Sequence, residues 1–472
     1  MESTSYSAEI KRTLAQIYDT YPVVEHIVRD ICQAQGIALL VGGAVRDTIL
    51  QRPLKDYDIE VHGIPLEKVQ RVLEKYGTVD LVGKSFGVLR IRGIAVDWSI
   101  PRTDTAGRKP AVTLDPFMTI KDAAVRRDLT MNAMSIDLYT GDLIDPFDGI
   151  ADIGKKVLRT PDPLFFMEDP LRFFRVMQFI GRFDMIPDAQ LQEVCRTMDI
   201  HAVSRERIEM EFEKLFLQSR SPSTGLRWIY ALGRLKDIMP ELYILADVVQ
   251  DSEWHPEGNV LEHSFQTLDA AALIVQKHSD TEIKLVALWA ALCHDLGKAE
   301  TTTLIEGRWK SHGHAQAGVP LAKKMLTRIT GKKDIVSAVC KLIYYHMVPA
   351  QFVSYNTRFS RYKRLALKLA PDATLAQLAD LVRADQRGRN AKGPEPLSAD
   401  EGNMGVFVAQ AEKAGVLEHA EKAILSGADF LDVALPGPAL GMLVKKAYRL
   451  QIEQGITDKE KLKRATLEQV DE

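Results

Sequence analysis

The stretch from Leu40 to Val61 most constrains what this chain can fold into. Leu40-Val-Gly-Gly-Ala-Val-Arg-Asp-Thr-Ile-Leu50 reads as an apolar strand, a Gly42-Gly43 turn and a short helix that opens with Arg46 and Asp47. Lys55-Asp-Tyr-Asp-Ile-Glu-Val61 then predicts a second strand bearing Asp56 and Asp58. Residues two apart on a strand face the same side, so these carboxylates converge. Like charges that close are costly unless a cation lies between them. A divalent metal beside a Gly-Gly backbone and a helix N-terminus, where phosphate is favoured, suits the transfer of a nucleotidyl group.

At 472 residues the chain has room for about two to four domains. Its apolar content of 46% and charged content of 26% are those of a globular protein with real cores. Residues 1–20 lack the basic start and apolar block of a signal peptide, and no run approaches the ~18 apolar residues of a membrane span. A membrane partner is therefore not expected. Cys32, Cys195, Cys293 and Cys340 are scattered with no CxxC spacing, which predicts reduced thiols and a cytoplasmic protein. A net charge of −3 argues against indiscriminate coating of nucleic acid but leaves a local basic face open.

Helical spacing of Ile10, Leu14, Ile17, Val24, Ile27 and Ile31 predicts a helix over 6–35. Short strands are expected at 38–42, 57–62, 87–92, 94–100 and 133–138, with a helix at 66–76 among them. From about 155 strands are expected to vanish, leaving helices at 163–181, 188–197, 204–218 and 223–236. The segment Trp254 to Asp385 is also helical in pattern and holds most of the chain's 11 histidines. Arg387-Gly-Arg-Asn-Ala-Lys-Gly-Pro-Glu-Pro396 reads as a linker before a helical tail broken at Leu435-Pro-Gly-Pro-Ala-Leu-Gly441.

Three further pieces extend the opening motif. Asp97 lies on the apolar strand Ile94–Ile100, where a lone carboxylate is expensive; it is read as a third metal carboxylate, or else as an ion pair with Arg102. Arg126-Arg-Asp-Leu-Thr-Met-Asn-Ala133 and Glu168-Asp-Pro-Leu-Arg-Phe-Phe-Arg175 follow. With GGAVRD, DYD, RRDLTMNA, EDPLR and Ser204-Arg-Glu-Arg-Ile208 in this order, the chain resembles the class II tRNA nucleotidyltransferase/poly(A) polymerase family, within the polymerase-β-like nucleotidyltransferases. Leu129 stands where that family usually has Phe, a packing change. The resemblance implies an α/β nucleotidyltransferase head with a mixed sheet, followed by an all-helical neck, an HD domain and a tail. Asp56, Asp58 and Asp97 would hold two Mg²⁺ for an in-line displacement. Gly42 and Gly43 would let the backbone approach the triphosphate. Arg46, Arg126 and Arg127 are candidate phosphate clamps or structural partners of Asp47 and Asp128, and Asn132 is a candidate for the triphosphate or ribose.

On one continuous helix Glu168, Arg172 and Arg175 would form a stripe, with Asp169 within a turn of Arg172. Such a stripe is either a surface salt-bridge ladder or a protein template for bases. Cytosine and adenine each present an amino donor beside a ring-nitrogen acceptor, which an Asp acceptor next to an Arg donor complements. Guanine and uracil present the reverse order and would leave buried groups unpaired at about 1–3 kcal/mol each. In the resembling family this Asp and Arg read CTP and ATP, roles that carry over to Asp169 and Arg172.

His263, His294-Asp295, His314, His346 and Asp385, with the run Cys293-His-Asp-Leu-Gly-Lys298, resemble an HD-type phosphohydrolase domain. Imidazoles and carboxylates suit a divalent transition metal or Mg²⁺ better than a thiolate-bound structural zinc. His263, His294, Asp295 and Asp385 are the first ligands, and His314 and His346 serve a second metal; His255 and His312 are weaker candidates. Adjacent His294 and Asp295 share no helical face, but a helix end or two metals can use both. Bacterial CCA-adding enzymes of the resembling family carry such a domain after the neck. The expected organisation is a head at 1–154, a nucleotide-reading neck at 155–250, an HD domain at 251–390 and a tail at 391–472. The expected reaction is template-independent building of the tRNA 3′ CCA end from CTP and ATP, with an added phosphohydrolase. A-adding or CC-adding enzymes, a poly(A) polymerase, or an HD nucleotide phosphohydrolase with an RNA-binding head are the alternatives. The segment near 104–122 is expected to bear on which of these holds, and a homodimer stays open.

Overall fold

In the computed structural model, which describes residues 6–54, 56–82, 87–104, 112–399 and 404–468, the chain divides into two compact units. These are Met1–Val203 and Ser204–Glu472. The division falls inside the stretch 155–250 expected to be a neck. Residues 105–111 of the 104–122 segment lie outside the described residues.

The first unit is organised by seven strands in the order β3-β4-β5-β2-β1-β8-β9. They are β1 (Ile37–Val41), β2 (Tyr57–His62), β3 (Val79–Val82), β4 (Val88–Ile91), β5 (Val96–Ser99), β8 (Ser135–Asp137) and β9 (Leu143–Ile144); β6 (Arg102–Asp104) and β7 (Val112–Leu114) form a separate hairpin. The sheet is mixed: β2 runs antiparallel to β1 and parallel to β5. The apolar run of β1 is buried from Ala38 to Val41, as a central strand requires. Ile17, Val24, Ile27 and Ile31 belong to the same core. Their helix is two helices, Ser7–Thr20 and Pro22–Gln33, rather than one over 6–35. Pro22 has no N–H to continue the first helix and a φ suited to starting the second.

Strands do not vanish after residue 155. β10 (Val157–Leu158) and β11 (Ile186–Pro187) pair in parallel in the first unit. In the second, β12 (Thr302–Ile305) and β13 (Arg308–Ser311) form a hairpin closed by Glu306 and Gly307, both at positive φ. That pair of angles is the two-residue turn whose twist matches the strands it joins. The rest of the second unit is helical. Val260–Ile274, Thr281–Cys293, His314–Ile329, Lys333–Tyr345 and Leu375–Arg387 carry the histidine-rich region. The stretch read as a linker is tied down: the Gln266 amide donates to the carbonyls of Asn390 and Gly393, each at 3.1 Å. The tail packs its own small core of Leu425, Phe430, Ala447, Leu450 and Leu462.

Candidate active site and metal centre

Gly42 follows β1 at φ +69, which favours glycine, and hands the chain to the helix Gly43–Ile49. A side chain on Gly42 would reach within 3.6 Å of the Arg127 guanidinium, so the turn and this cation face one another. Asp58 and Glu60 alternate on β2, and Asp56 immediately precedes the strand in the same alternation. The parallel register sets Asp58 opposite Asp97 of β5. Burial, with Asp97 and Asp56 adding to it, raises the Asp58 carboxyl against the opposing pull of Arg127 and Arg90. Carboxylates gathered on one face of a sheet are a donor set suited to a hard divalent cation such as magnesium. Asp97 takes both oxygens to Arg90 across the sheet, at 2.6 and 2.7 Å.

The arginines divide by environment. Arg46 is 6% exposed. It holds Asp47 at 2.9 Å, donates to Asn132 Oδ1 at 2.8 Å and lies over the Phe183 ring. Asn132 passes the chain on to Asp128 at 2.9 Å, and Asp128 accepts from Arg175 at 2.6 Å. Burial works against ionising Asp128, but Arg175 and the hydrogen bonds hold it down at about 2. Arg46, Asn132 and Asp128, all buried, and the partly exposed Arg175 thus form one network behind the Gly-Gly turn. Arg127 reaches Glu60 at 3.2 Å, and Arg126 stacks on Phe165.

The helix predicted over 163–181 is broken. Pro163–Met167 ends before Glu168, and Leu171–Phe183 begins after Pro170, so Glu168 and Arg172 share no continuous stripe. Proline disfavours helical geometry in the residue before it and supplies no N–H of its own. The break gives Asp169 a local role, accepting from the Leu171 N–H at 3.1 Å. Arg172, one turn on, is gripped by the carbonyls of Phe165 at 2.6 Å and Arg126 at 2.7 Å. The acceptor and the donor are thereby set in one turn.

In the second unit, six residues meet. His294 and His346 are the last-turn caps of Thr281–Cys293 and Lys333–Tyr345. Each lies with Nδ1 against a last-turn helix carbonyl three residues back, Ala291 at 2.9 Å and Ile343 at 2.6 Å. That contact turns Nε2 inward. His314 does the same with Ser311 at 2.8 Å. The Nε2 atoms then pair, His263 with His294 at 3.2 Å and His314 with His346 at 3.1 Å. Asp295 lies between the pairs, 3.2 Å from His294 and 3.4 Å from His314, while Asp385 is 3.1 Å from His263. Helix end and shared carboxylate are how adjacent His294 and Asp295 both serve. Gly297 allows it: a side chain there would meet the His314 carbonyl at 2.0 Å.

This donor set fits divalent metal. The ligand atoms of His263, His294 and Asp295, and of Asp295, His314 and His346, lie within 4.8 Å of one another. Burial lowers His346 to about 4, which leaves a neutral imidazole ligand. Burial also opposes a charged His263, yet Asp385 and Glu257 carry it up to about 9, a position a cation would take over. A cleft of about 320 Å³ opens onto Asp295, His314, His346 and Asp385. His255 and His312 line it without joining the inner six. The sequence reading missed Arg90, Lys298 and Glu257. Lys298 lies 2.7 Å from Asp295, and its signal was its place in HDLGK. Arg90 had none, being one of many charges on a strand.

A head of this topology joined to such an imidazole–carboxylate centre defines a nucleotidyltransferase with an HD domain. Residues 38–159 match the Poly A polymerase head domain, and residues 260–385 match the HD domain. The chain belongs to the family of CCA-adding tRNA nucleotidyltransferases represented by the multifunctional CCA proteins. It is 31% identical over 426 residues to the Multifunctional CCA protein of Stenotrophomonas maltophilia (strain K279a), spanning 86% of this chain and 97% of that one. Its fold is similar to that of a CCA-adding enzyme in complex with CTP, with a TM-score of 0.65 at 17% identity over 98% of this chain and 99% of that one. It is also similar to the Thermotoga maritima CCA-adding enzyme complexed with tRNA-CCA, with a TM-score of 0.61 at 17% identity over 98% of both chains. Among the described residues, no helix is long and apolar enough to cross a membrane.

Proposed function

We propose that this chain builds or repairs the 3′-terminal CCA of tRNA from CTP and ATP without a nucleic-acid template, and that its HD domain is a metal-dependent phosphohydrolase. The observation that carries the first part is the turn holding Asp169 and Arg172, whose guanidinium two carbonyls grip at 2.6 and 2.7 Å. An acceptor and a pinned donor side by side complement the amino and ring-nitrogen edge that cytosine and adenine share. Asp56 and Asp58, with Asp97 once released from Arg90, would hold magnesium; Gly42 and Gly43 leave room for the triphosphate, and Arg127 faces it across the turn. Arg46, Asn132, Asp128 and Arg175 keep that turn in place from behind, while Arg126 and its carbonyl anchor Arg172. A magnesium ion held there would supply the charge that favours ionising the attacking 3′-hydroxyl and steadies the leaving pyrophosphate.

In the HD centre His263, His294, Asp295, His314, His346 and Asp385 would hold a divalent transition metal or Mg²⁺, whose chemistry there would be activation of water toward a phosphoester. The four cysteines are unpaired, as suits a reducing cytoplasm. The test is to incubate the full chain with tRNA transcripts ending before the first C, after C, and after CC, with CTP, ATP or both, and to size the products. Completion of CCA on all three supports the reading. A single added A, CC alone, or long A tracts would overturn it in favour of a specialised adding enzyme or a poly(A) polymerase.

A further inference from the structure

Glu257 lies outside the six converging residues, in the loop Trp254–Asn259 that precedes the helix Val260–Ile274. Asn259 caps that helix by accepting from the Glu262 N–H at 2.9 Å, and its own amide donates to the Ala246 carbonyl at 2.9 Å. At its other end the N–H groups of Trp254 and His255 donate to the Asp251 carbonyl at 3.1 and 2.9 Å, so the loop is held at both ends. The Glu257 side chain is fully buried, and its Oε1 lies 2.9 Å from His255 Nδ1 and 2.7 Å from His263 Nδ1. Its Oε2 is buried without a hydrogen-bond partner. An acidic side chain is rarely enclosed like this unless the charge has a use.

The use follows from which atoms it meets. His263 Nδ1 faces outward from the centre, while Nε2 faces His294 and Asp385. His294, His314 and His346 each set their rings with a neutral backbone carbonyl. His263 has such a contact too, to Gly388 at 3.1 Å, but its shorter one is to a carboxylate. A carboxylate on the far nitrogen fixes the tautomer and raises the basicity of the ligating nitrogen. We infer that Glu257 is a positioning residue for the metal centre, holding His263 with its Nε2 lone pair toward the ions. The centre therefore combines three carbonyl-set imidazoles with one carboxylate-set imidazole, and His263 is its strongest nitrogen donor. The inference rests on reading the six residues as metal ligands.

The experiment is Mn²⁺ binding to the full chain, by competition with a chelator, for wild type, Glu257→Gln and Glu257→Asp. Glu257→Gln preserves shape and the accepting oxygen but removes the charge, and its Mn²⁺ affinity should fall roughly 10–100-fold. Glu257→Asp keeps the charge one methylene back and should lie between that variant and wild type. CCA addition serves as the check on folding and should be unchanged in both. A folded Glu257→Gln protein whose affinity falls less than about fivefold overturns the inference, because a far-nitrogen carboxylate of this kind weakens binding by more. So does loss of helical signal and CCA addition together in both variants, since Glu257 would then serve the fold. Wild type that binds no Mn²⁺ sinks the metal reading itself, a result distinct from either.

Discussion

Asp58 and Asp97 stand opposite each other on the parallel strands β2 and β5, and the Asp97 carboxylate is held by Arg90 at 2.6 and 2.7 Å. The two acids are neighbours through sheet register, although they stand 39 positions apart in the chain. An arginine occupies one of them where a cation is needed.

Replacing Arg90 with Gln should therefore lower the magnesium concentration at which nucleotide addition is half-maximal. Arg90 is 46% and Asp97 30% exposed at the side chain. A pair that open contributes about 0–1 kcal/mol, so the midpoint should fall by no more than about fivefold. A magnesium titration of CCA addition reads it, and an upward shift would contradict the competition.

The two chemistries should separate by mutation. Asp58→Ala is expected to reduce nucleotide addition by on the order of a thousandfold or more, through loss of a metal carboxylate, and to spare phosphoester hydrolysis. Asp295→Ala should do the reverse, because its carboxylate is shared by both halves of the second centre. Parallel assays on one preparation decide it; a variant that loses both activities would refute two independent sites.

Arg172→Ala should relax nucleotide choice rather than abolish addition. Leaving a buried base edge unpaired costs about 1–3 kcal/mol, so discrimination of CTP and ATP against UTP and GTP should fall roughly 5–100-fold. The ratio of kcat/KM values measures it. An unchanged ratio would remove Arg172 from base reading.

Asp128 makes stability of the first unit depend on acid. Its carboxyl is held at about 2 instead of the usual 3.8, by Arg175 and hydrogen bonds acting against burial. A lowered folded-state value stabilises the fold above the unfolded value, and that contribution is lost as pH falls from about 4 through about 2, in total on the order of 2–3 kcal/mol. Asp128→Asn should therefore destabilise the head at pH 7, and denaturation across pH 2–7 should show the difference from wild type shrinking toward acid.

Metal should stabilise the second unit by mass action. At Mn²⁺ a hundredfold above its Kd the gain is about 2.7 kcal/mol. Stripping the ion with a chelator should lower the melting transition of wild type and leave that of Asp295→Ala nearly unmoved, as differential scanning calorimetry would show.

Much of the two centres was legible because it is written in short spacings. Alternation placed Asp56 and Asp58 on one side of a strand, and the Gly42 turn announced the change from strand to helix. HDLGK marked His294 and Asp295 as neighbours that a helix end or two metals could use together. Pro22 and Pro170 mark the breaks within two stretches whose periodicity reads as helical throughout, and Glu306-Gly307 marks the hairpin. What could not be read was partnership. Arg90 carries no mark that selects Asp97 over any other carboxylate, and Glu257 none that aims it at His263 Nδ1.

The sequence by itself determined residue chemistry and local conformation, since propensity, capping and side-chain alternation act over a few neighbouring positions. Tertiary structure alone decided that Asp128 meets Arg175, 47 positions away, and that His263 meets the Gly388 carbonyl, 125 positions away. Such pairings follow from how sheet and helices bury their apolar faces. Burying Ile59, Trp98, Leu292 and Leu342 fixes where the backbones lie, and the charged groups then take whatever partners that packing brings within reach.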